Sequence, residues 1–517
     1  MWVTQALTGL LIAFAVAFLF NRLLSTKPDP REPPIVQPEI PFIGHIIGLL
    51  RHGAAYSHIV SARCNSPIFS LPMLNSRTYT VTSPHLASHV QRASTSLQFG
   101  PLIIPITQRM VGLSKDCMTK FEDANGEQEA CPSFLDKLHE ITYFNLSPPE
   151  IHNVSAIMLE QLTRRINAMG ERTETGLFAW VREQFTAATT FAFYGPENPF
   201  ILDPSLIEDF WTWEASMIAI MSSPFPYLTS PKAYRCRERV VKAMVSYFKN
   251  GRYKQADKLI QERHRLHSEY KISLEDTARS EVGLLFGILA NGAVTTFWLL
   301  NNVFSRASLL SSIRSEIEQN AVSISPTSLD NYTNTISSKS LTSSCPLLNS
   351  AYRETLRLSA PMTSSRFVTS DALINNTYLL RKNSVVQIAG GVIHLDPSVW
   401  GPDAGEFNAR RFLTSPYGTS TDNPASKTNV HPAAFRGFGG GSVFCPGRFF
   451  AQNEILSLVA GVVMGFDLVP QSVDGKIEFD SPKDEKRIPI GVMKPLKEIE
   501  VGLKRRQGVD VNLALVL

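Results

Sequence analysis

Four glycines and a proline crowd a single cysteine in Phe438-Gly-Gly-Gly-Ser-Val-Phe-Cys-Pro-Gly447. Glycine at this density lets a backbone approach a flat ligand closely and take positive φ where a tight turn needs it. The apolar pattern predicts a helix from about Arg448, which sets Cys445 at a helix mouth. Backbone N–H groups and the helix dipole at such a mouth favour a thiolate. A lone thiolate flanked by phenylalanine suits an axial iron ligand better than zinc, which takes four ligands. The competing reading is a glycine-rich turn around an ordinary buried cysteine, because a short motif by itself is weak.

The rest of the chain limits what can surround this loop. Apolar residues make up 44% and charged residues 19% of 517, which excludes a disordered chain. The net charge of +4 argues against a general nucleic-acid binder. A mean hydropathy of -0.03 excludes a protein made mostly of membrane spans. Six cysteines cannot frame a chain of this length with disulfides, and Cys64, Cys117, Cys131, Cys236 and Cys345 lack metal-site spacing.

Trp2 to Phe20 contains no charge, whereas Arg22, Lys27 and Arg31 follow it. About 20 such residues span a bilayer core, and the basic flank favours a cytosolic remainder. Residues 1–24 are therefore expected to be a transmembrane anchor, with the N-x-S/T matches at Asn145, Asn153, Asn331 and Asn375 fortuitous. The proline-rich stretch 25–44 reads as a stiff, extended hinge. Residues 45–505 contain no evident linker, and 45–517 reads as one catalytic domain, mainly α with a minor β region. Helices are predicted over 46–63, Ile157–Met169 and Arg235–Leu266. Strands are predicted at Ile68–Leu71, Thr78–Thr82, Ser365–Val368, Thr377–Leu380 and Ser384–Ile388. Ser323–Ser350 reads as a polar surface excursion, partly helical.

Two more motifs precede the cysteine loop. Glu354-Thr-Leu-Arg357 is by itself an everyday i,i+3 helix pair. Phe407-Asn-Ala-Arg-Arg411-Phe412 follows it from a predicted coil. Together, in this order and spacing, the motifs resemble the cytochrome P450 family. Its haem loop F-x-x-G-x-x-x-C-x-G is matched by Phe438, Gly441, Cys445 and Gly447, its E-x-x-R by Glu354 and Arg357, and its F-x-x-x-R-F by Phe407, Arg411 and Phe412. The anchor and hinge agree, so the resemblance covers nearly the whole chain. It implies that Cys445 ligates the iron of haem b and that Glu354, Arg357 and Arg411 form a structural charge triad. It also implies that Arg366 sits where a haem propionate is often bound, by the fork of donors that suits a carboxylate.

Glu281–Trp298 resembles the family's central oxygen-side helix, with Asn291-Gly292-Ala293-Val294-Thr295-Thr296 at the A/G-G-x-D/E-T-T/S pattern. By that resemblance Gly292 and Ala293 leave room above the iron, and Thr295 supplies the hydroxyl. Val294 stands where the family's proton-relaying acid is usual, and Asn291 with Thr295 would hold a water chain instead. The stretch is similar to the branch with bile-acid sterol hydroxylases and prostacyclin synthase. Two further departures are Val443, where a propionate-binding Arg or His is usual, and Phe134–His139, which lacks W-x-x-x-R and offers Lys137 or His139. Phe210–Met221 and Phe99–Val111 are expected near the substrate or in the core, and Arg436 and Arg448 on a basic face toward a reductase.

The resemblance implies a membrane-anchored monooxygenase of the endoplasmic reticulum, facing the cytosol and fed by NADPH-cytochrome P450 reductase. Its substrate would be a hydrophobic small molecule such as a terpenoid, steroid or polyketide intermediate of secondary metabolism, and its other partners the reductase and membrane lipid, with no nucleic acid. The alternatives are a haem-thiolate isomerase or dehydratase needing no reductase, and a non-catalytic haem-binding membrane protein.

Overall fold

The computed structural model describes residues 29–39, 44–73, 76–122, 133–328, 331–413, 430–441, 444–471, 475–488, 490–506 and 512–517. The expected anchor at 1–24 lies outside these residues. Six helices bear on the site: α1 (Phe134–Asn145), α2 (Leu177–Tyr194), α3 (Ser205–Ala215), α4 (Leu274–Phe304), α5 (Pro346–Ser359) and α6 (Arg448–Gly465). A five-stranded sheet stands beside them: β1 (Ile68–Met73), β2 (Ser76–Val81), β3 (Leu97–Gln98), β4 (Thr363–Val368) and β5 (Val385–Ala389), in spatial order β1-β2-β5-β4-β3. Strand β5 runs parallel to β2 and antiparallel to β4.

The long apolar run becomes α4 because Ser273 starts it cleanly. The Ser273 hydroxyl oxygen accepts from the Asp276 N–H at 3.0 Å, one of the donors a helix start leaves unpaired. Among the described residues α4 is the one helix long and apolar enough to cross a membrane, yet 61% of its most apolar window is buried inside the protein. It is a core helix, packed against α2, α5 and α6. Helix α6 is apolar on all sides and buried accordingly. Each large side chain withdrawn here, such as Leu285, Leu289, Phe297, Leu456 or Val459, contributes about 1.5–3 kcal/mol. A smaller apolar cluster joins β1, β2, β4 and β5 to Leu86, Val90 and Trp400.

Several elements depart from expectation. The 46–63 helix is broken at Gly53, whose φ of 52° suits glycine. The Arg235–Leu266 helix is two, Pro231–Lys249 and Lys258–Glu269, parted at Gly251 with φ 71°. The polar excursion begins as a hairpin, Val322–Ser328 with Asn331–Ser337, then turns helical at Ser338–Ser344 and through α5. Part of the hinge is docked along β1: the Val36 N–H donates to the Ser70 carbonyl at 3.0 Å, and the Ser70 N–H to the Pro34 carbonyl at 2.8 Å.

Candidate functional site: a cysteine loop, two buried guanidiniums and a charged pocket

The cysteine loop turns through Gly439 (φ 78°) and Gly441 (φ 70°), conformations that a side chain would strain. The Cys445 N–H closes it by donating to the Phe438 carbonyl at 3.0 Å, and α6 begins directly after Gly447. Ser442 and Val443 lie outside the described residues. Burial pushes the Cys445 thiol up, against the opposing pull of the Gly447 N–H and the Arg448 charge. The chain alone therefore favours a thiol, and a bound cation is what makes a thiolate the stable form. Arg448 donates to the Cys445 carbonyl at 3.0 Å and lies over Phe444 and Phe449, so it braces the loop rather than standing free on a basic face. The Tyr143 hydroxyl on α1 donates to the Phe444 carbonyl. Of the α1 candidates, Lys137 lies over the Tyr270 ring and His139 against Tyr143.

The charge triad is assembled as a buried knot. Arg357 donates to both Glu354 carboxylate oxygens at 2.7 Å, and Arg411 Nε donates to Glu354 Oε1 at 2.9 Å. Asp403, not singled out by sequence, pairs with Arg411 at 2.9 Å. The Ala404 and Trp400 carbonyls accept the remaining donors of Arg357 and Arg411 at 2.6 and 2.7 Å. Removing Glu354 would leave two buried guanidiniums short of an anion, a loss of about 3–5 kcal/mol.

Arg436 corrects the sequence reading. It is 1% exposed and so cannot present a basic face to a partner. Its Nη2 donates to Ser364 Oγ at 3.0 Å, its Nε is buried without a partner, and the correctly oriented Gln91 amide accepts from its Nη1 at 2.9 Å. Arg366 on β4 is also buried, under Phe99, and among the described residues donates only to its neighbour's carbonyl at 2.8 Å. Among the described residues neither arginine has a carboxylate within ion-pair distance. Two buried cations without anions are an incomplete structure, and two carboxylates would complete it.

Across α4 lies a pocket lined by Phe286, Ala290, Asn291 and Val294, by Glu214 and Met217, and by residues between 484 and 494. Val294, the residue in place of the usual acid, faces this space. Gly292 does not open it: a Cβ there would meet the Phe185 ring of α2 at 2.2 Å, so its role is close helix packing. Thr295 Oγ1 donates to the Asn291 carbonyl at 2.7 Å, and Asn291 Oδ1 accepts from the Val492 N–H at 3.0 Å. Among the described residues these bonds leave the acceptor lone pairs of the Thr295 hydroxyl and the N–H groups of the Asn291 amide unused. Most of Phe210–Met221 packs the core, with Phe210, Trp211 and Trp213 buried, while Glu214 and Met217 reach the pocket.

A family model described as Cytochrome P450 matches residues 154–501, more than half of the chain. The chain belongs to the cytochrome P450 family. Cytochrome P450 monooxygenase nodJ of Hypoxylon pulicicidum is 31% identical over 501 residues, covering 96% of this chain and 94% of that protein. A cytochrome P450 monooxygenase of Gibberella zeae is 30% identical, with 96% and 94% covered. Cytochrome P450 7A1 of Sus scrofa is 28% identical over 242 residues, 44% of this chain and 45% of its own, which agrees with the sterol-hydroxylase branch read from Ala290–Trp298. Members of the P450 family are monooxygenases that hold haem through a cysteine thiolate, take hydrophobic substrates and draw electrons from a redox partner. The residues here fit that cofactor. A half-buried thiol sits in a glycine loop, and the two buried guanidiniums without a described carboxylate match the two propionates of a haem in number and charge.

Proposed function

We propose that the protein is a membrane-anchored P450 monooxygenase that oxidises a hydrophobic biosynthetic intermediate, such as a terpenoid, steroid or polyketide, in secondary metabolism. The Cys445 loop at the start of α6, together with two buried guanidiniums that have no described carboxylate partner, carries this reading. Cys445 would hold the iron, and Arg366 and Arg436 the propionates. Gly439 and Gly441 keep side chains out of the turn, and the Glu354–Arg357–Arg411 knot holds α5 to the coil that leads to the loop. When bound, the haem supplies activation of dioxygen and insertion of one oxygen atom into a C–H bond, with electrons from NADPH through a reductase. Phe286 and Val294 would exclude water beside it. The uncharged run Trp2–Phe20 supports the anchor, with the remainder in the cytosol and the endoplasmic reticulum as the site.

Reduced protein treated with carbon monoxide is expected to give the Soret band of thiolate-ligated haem, and Cys445→Ala to abolish it. A retained band would mean that another residue holds the iron. Val294 favours a second reading, a haem-thiolate isomerase. Product formed from substrate without NADPH and oxygen would establish it in place of the monooxygenase.

A further inference from the structure

The pocket beside Val294 holds more charge than a purely apolar ligand requires. Glu214 on α3 is 3% exposed, and its carboxylate faces two cations. Arg487 Nη2 donates to Glu214 Oε1 at 3.2 Å and to the Glu214 backbone carbonyl at 2.7 Å. The Lys494 ammonium is ion-paired with Oε2 and stands 5.7 Å from the centre of the Trp211 ring. Arg182 lies 5.5 Å from the same ring, and its Nε is buried without a partner. Asp484 lines the pocket and acts on Arg487. In the pocket lining Arg487 and protonated Lys494 are matched by Glu214 and Asp484, and Arg182 beside Trp211 adds one further positive charge.

An uncompensated buried charge is expensive, and pockets for small molecules use a few such groups to orient an otherwise apolar ligand. The donors are also available. Arg487 donates through Nη2 alone among the described residues, so its Nε and Nη1 remain, and an ammonium has three protons. We propose that this pocket selects an apolar substrate bearing a carboxylate, held by Lys494 and Arg487 with its apolar body against Phe286 and Val294. A single carboxylate balances the excess, whereas a doubly charged phosphate would overshoot it. The proposal rests on the P450 reading above, since it names the substrate class of that site. Burial, reinforced by the Arg182 charge, lowers the Lys494 ammonium to about 7. A bound carboxylate would hold the proton there, so acid binding weakens as pH rises past that value.

The test uses the full chain with haem bound and three matched pairs: hexadecanoic, abietic and lithocholic acids, each with its methyl ester. Binding is read by calorimetry and by the ligand-induced shift of the Soret band. At least one acid is expected to bind about tenfold tighter than its ester. That preference should fall below about threefold in Lys494→Met and in Arg487→Met, and persist in Lys494→Arg. No preference in any pair, or a preference that survives both methionine variants, overturns the proposal. Should those variants fail to fold, the unaltered protein decides. Its affinity for the acid is expected to drop about tenfold between pH 6 and 8 while that for the ester holds, and parallel profiles overturn the idea. The carbon-monoxide band is recorded on every sample. A sample with the band and no acid preference refutes this inference alone, and one without the band refutes the thiolate-haem assignment.

Discussion

The Arg436 N–H donates to His394 Nε2 at 2.9 Å, so an imidazole ring holds the start of the cysteine loop. That bond requires the neutral ring. Burial, with Arg357 and Arg436 adding to it, lowers His394 to about 3. Burial together with Arg263 lowers His267 to about 3 as well. Between about 6.5 and 3 the unfolded chain binds a proton on each ring and the folded chain does not. Their contribution to stability is therefore present above 6.5 and lost as pH falls toward 3. Urea unfolding at pH 4, 5 and 6 is expected to show stability falling on acidification, with up to about 1.4 kcal/mol per pH unit from each ring. His267→Gln should remove roughly half of that slope. Neither histidine announces itself in the sequence, because nothing beside His394 or His267 in the chain signals how deeply its ring will be buried.

At the scale of elements, α4 shows what periodicity conveys and what it omits. Its apolar character and its passage beside the site were legible from Glu281–Trp298, whereas its start at Ser273 comes from the fold. The direction in which each glycine faces was not, because this helix is apolar on more than one face and the pattern gives no phase. Gly292→Ala would drive a methyl group into Phe185, whereas nothing lies within 4 Å of a Cβ at Gly287. Gly292→Ala is expected to lose about 1–3 kcal/mol in denaturant unfolding. Gly287→Ala should gain about 0.5–1 kcal/mol by helix propensity alone. Equal effects would show that α4 is rotated from the phase described. Where helix predictions ran too long, the signals were present: Gly53 and Asn250-Gly251 are turn punctuation inside otherwise periodic stretches.

At the scale of the molecule, the motif residues Glu354, Arg357, Arg411 and Cys445 were readable because their spacing is itself the signal. Arg436, Gln91, Glu214 and Lys494 were not, since each acquires its role from burial against segments far away in the chain. Arg366 was named from the resemblance, but its isolation from any described carboxylate only the fold reveals. Haem binding should accordingly be linked to global stability. Holoprotein is expected to melt above apoprotein, by about 2.7 kcal/mol at a hundredfold excess over Kd. That gap should shrink in Arg366→Met and Arg436→Met, as read by calorimetry. Two guanidiniums buried without anions thus make the empty chain the weaker competitor against quality control. Cellular abundance of this protein would then follow the supply of its prosthetic group, with chains made during scarcity cleared by proteolysis before they accumulate.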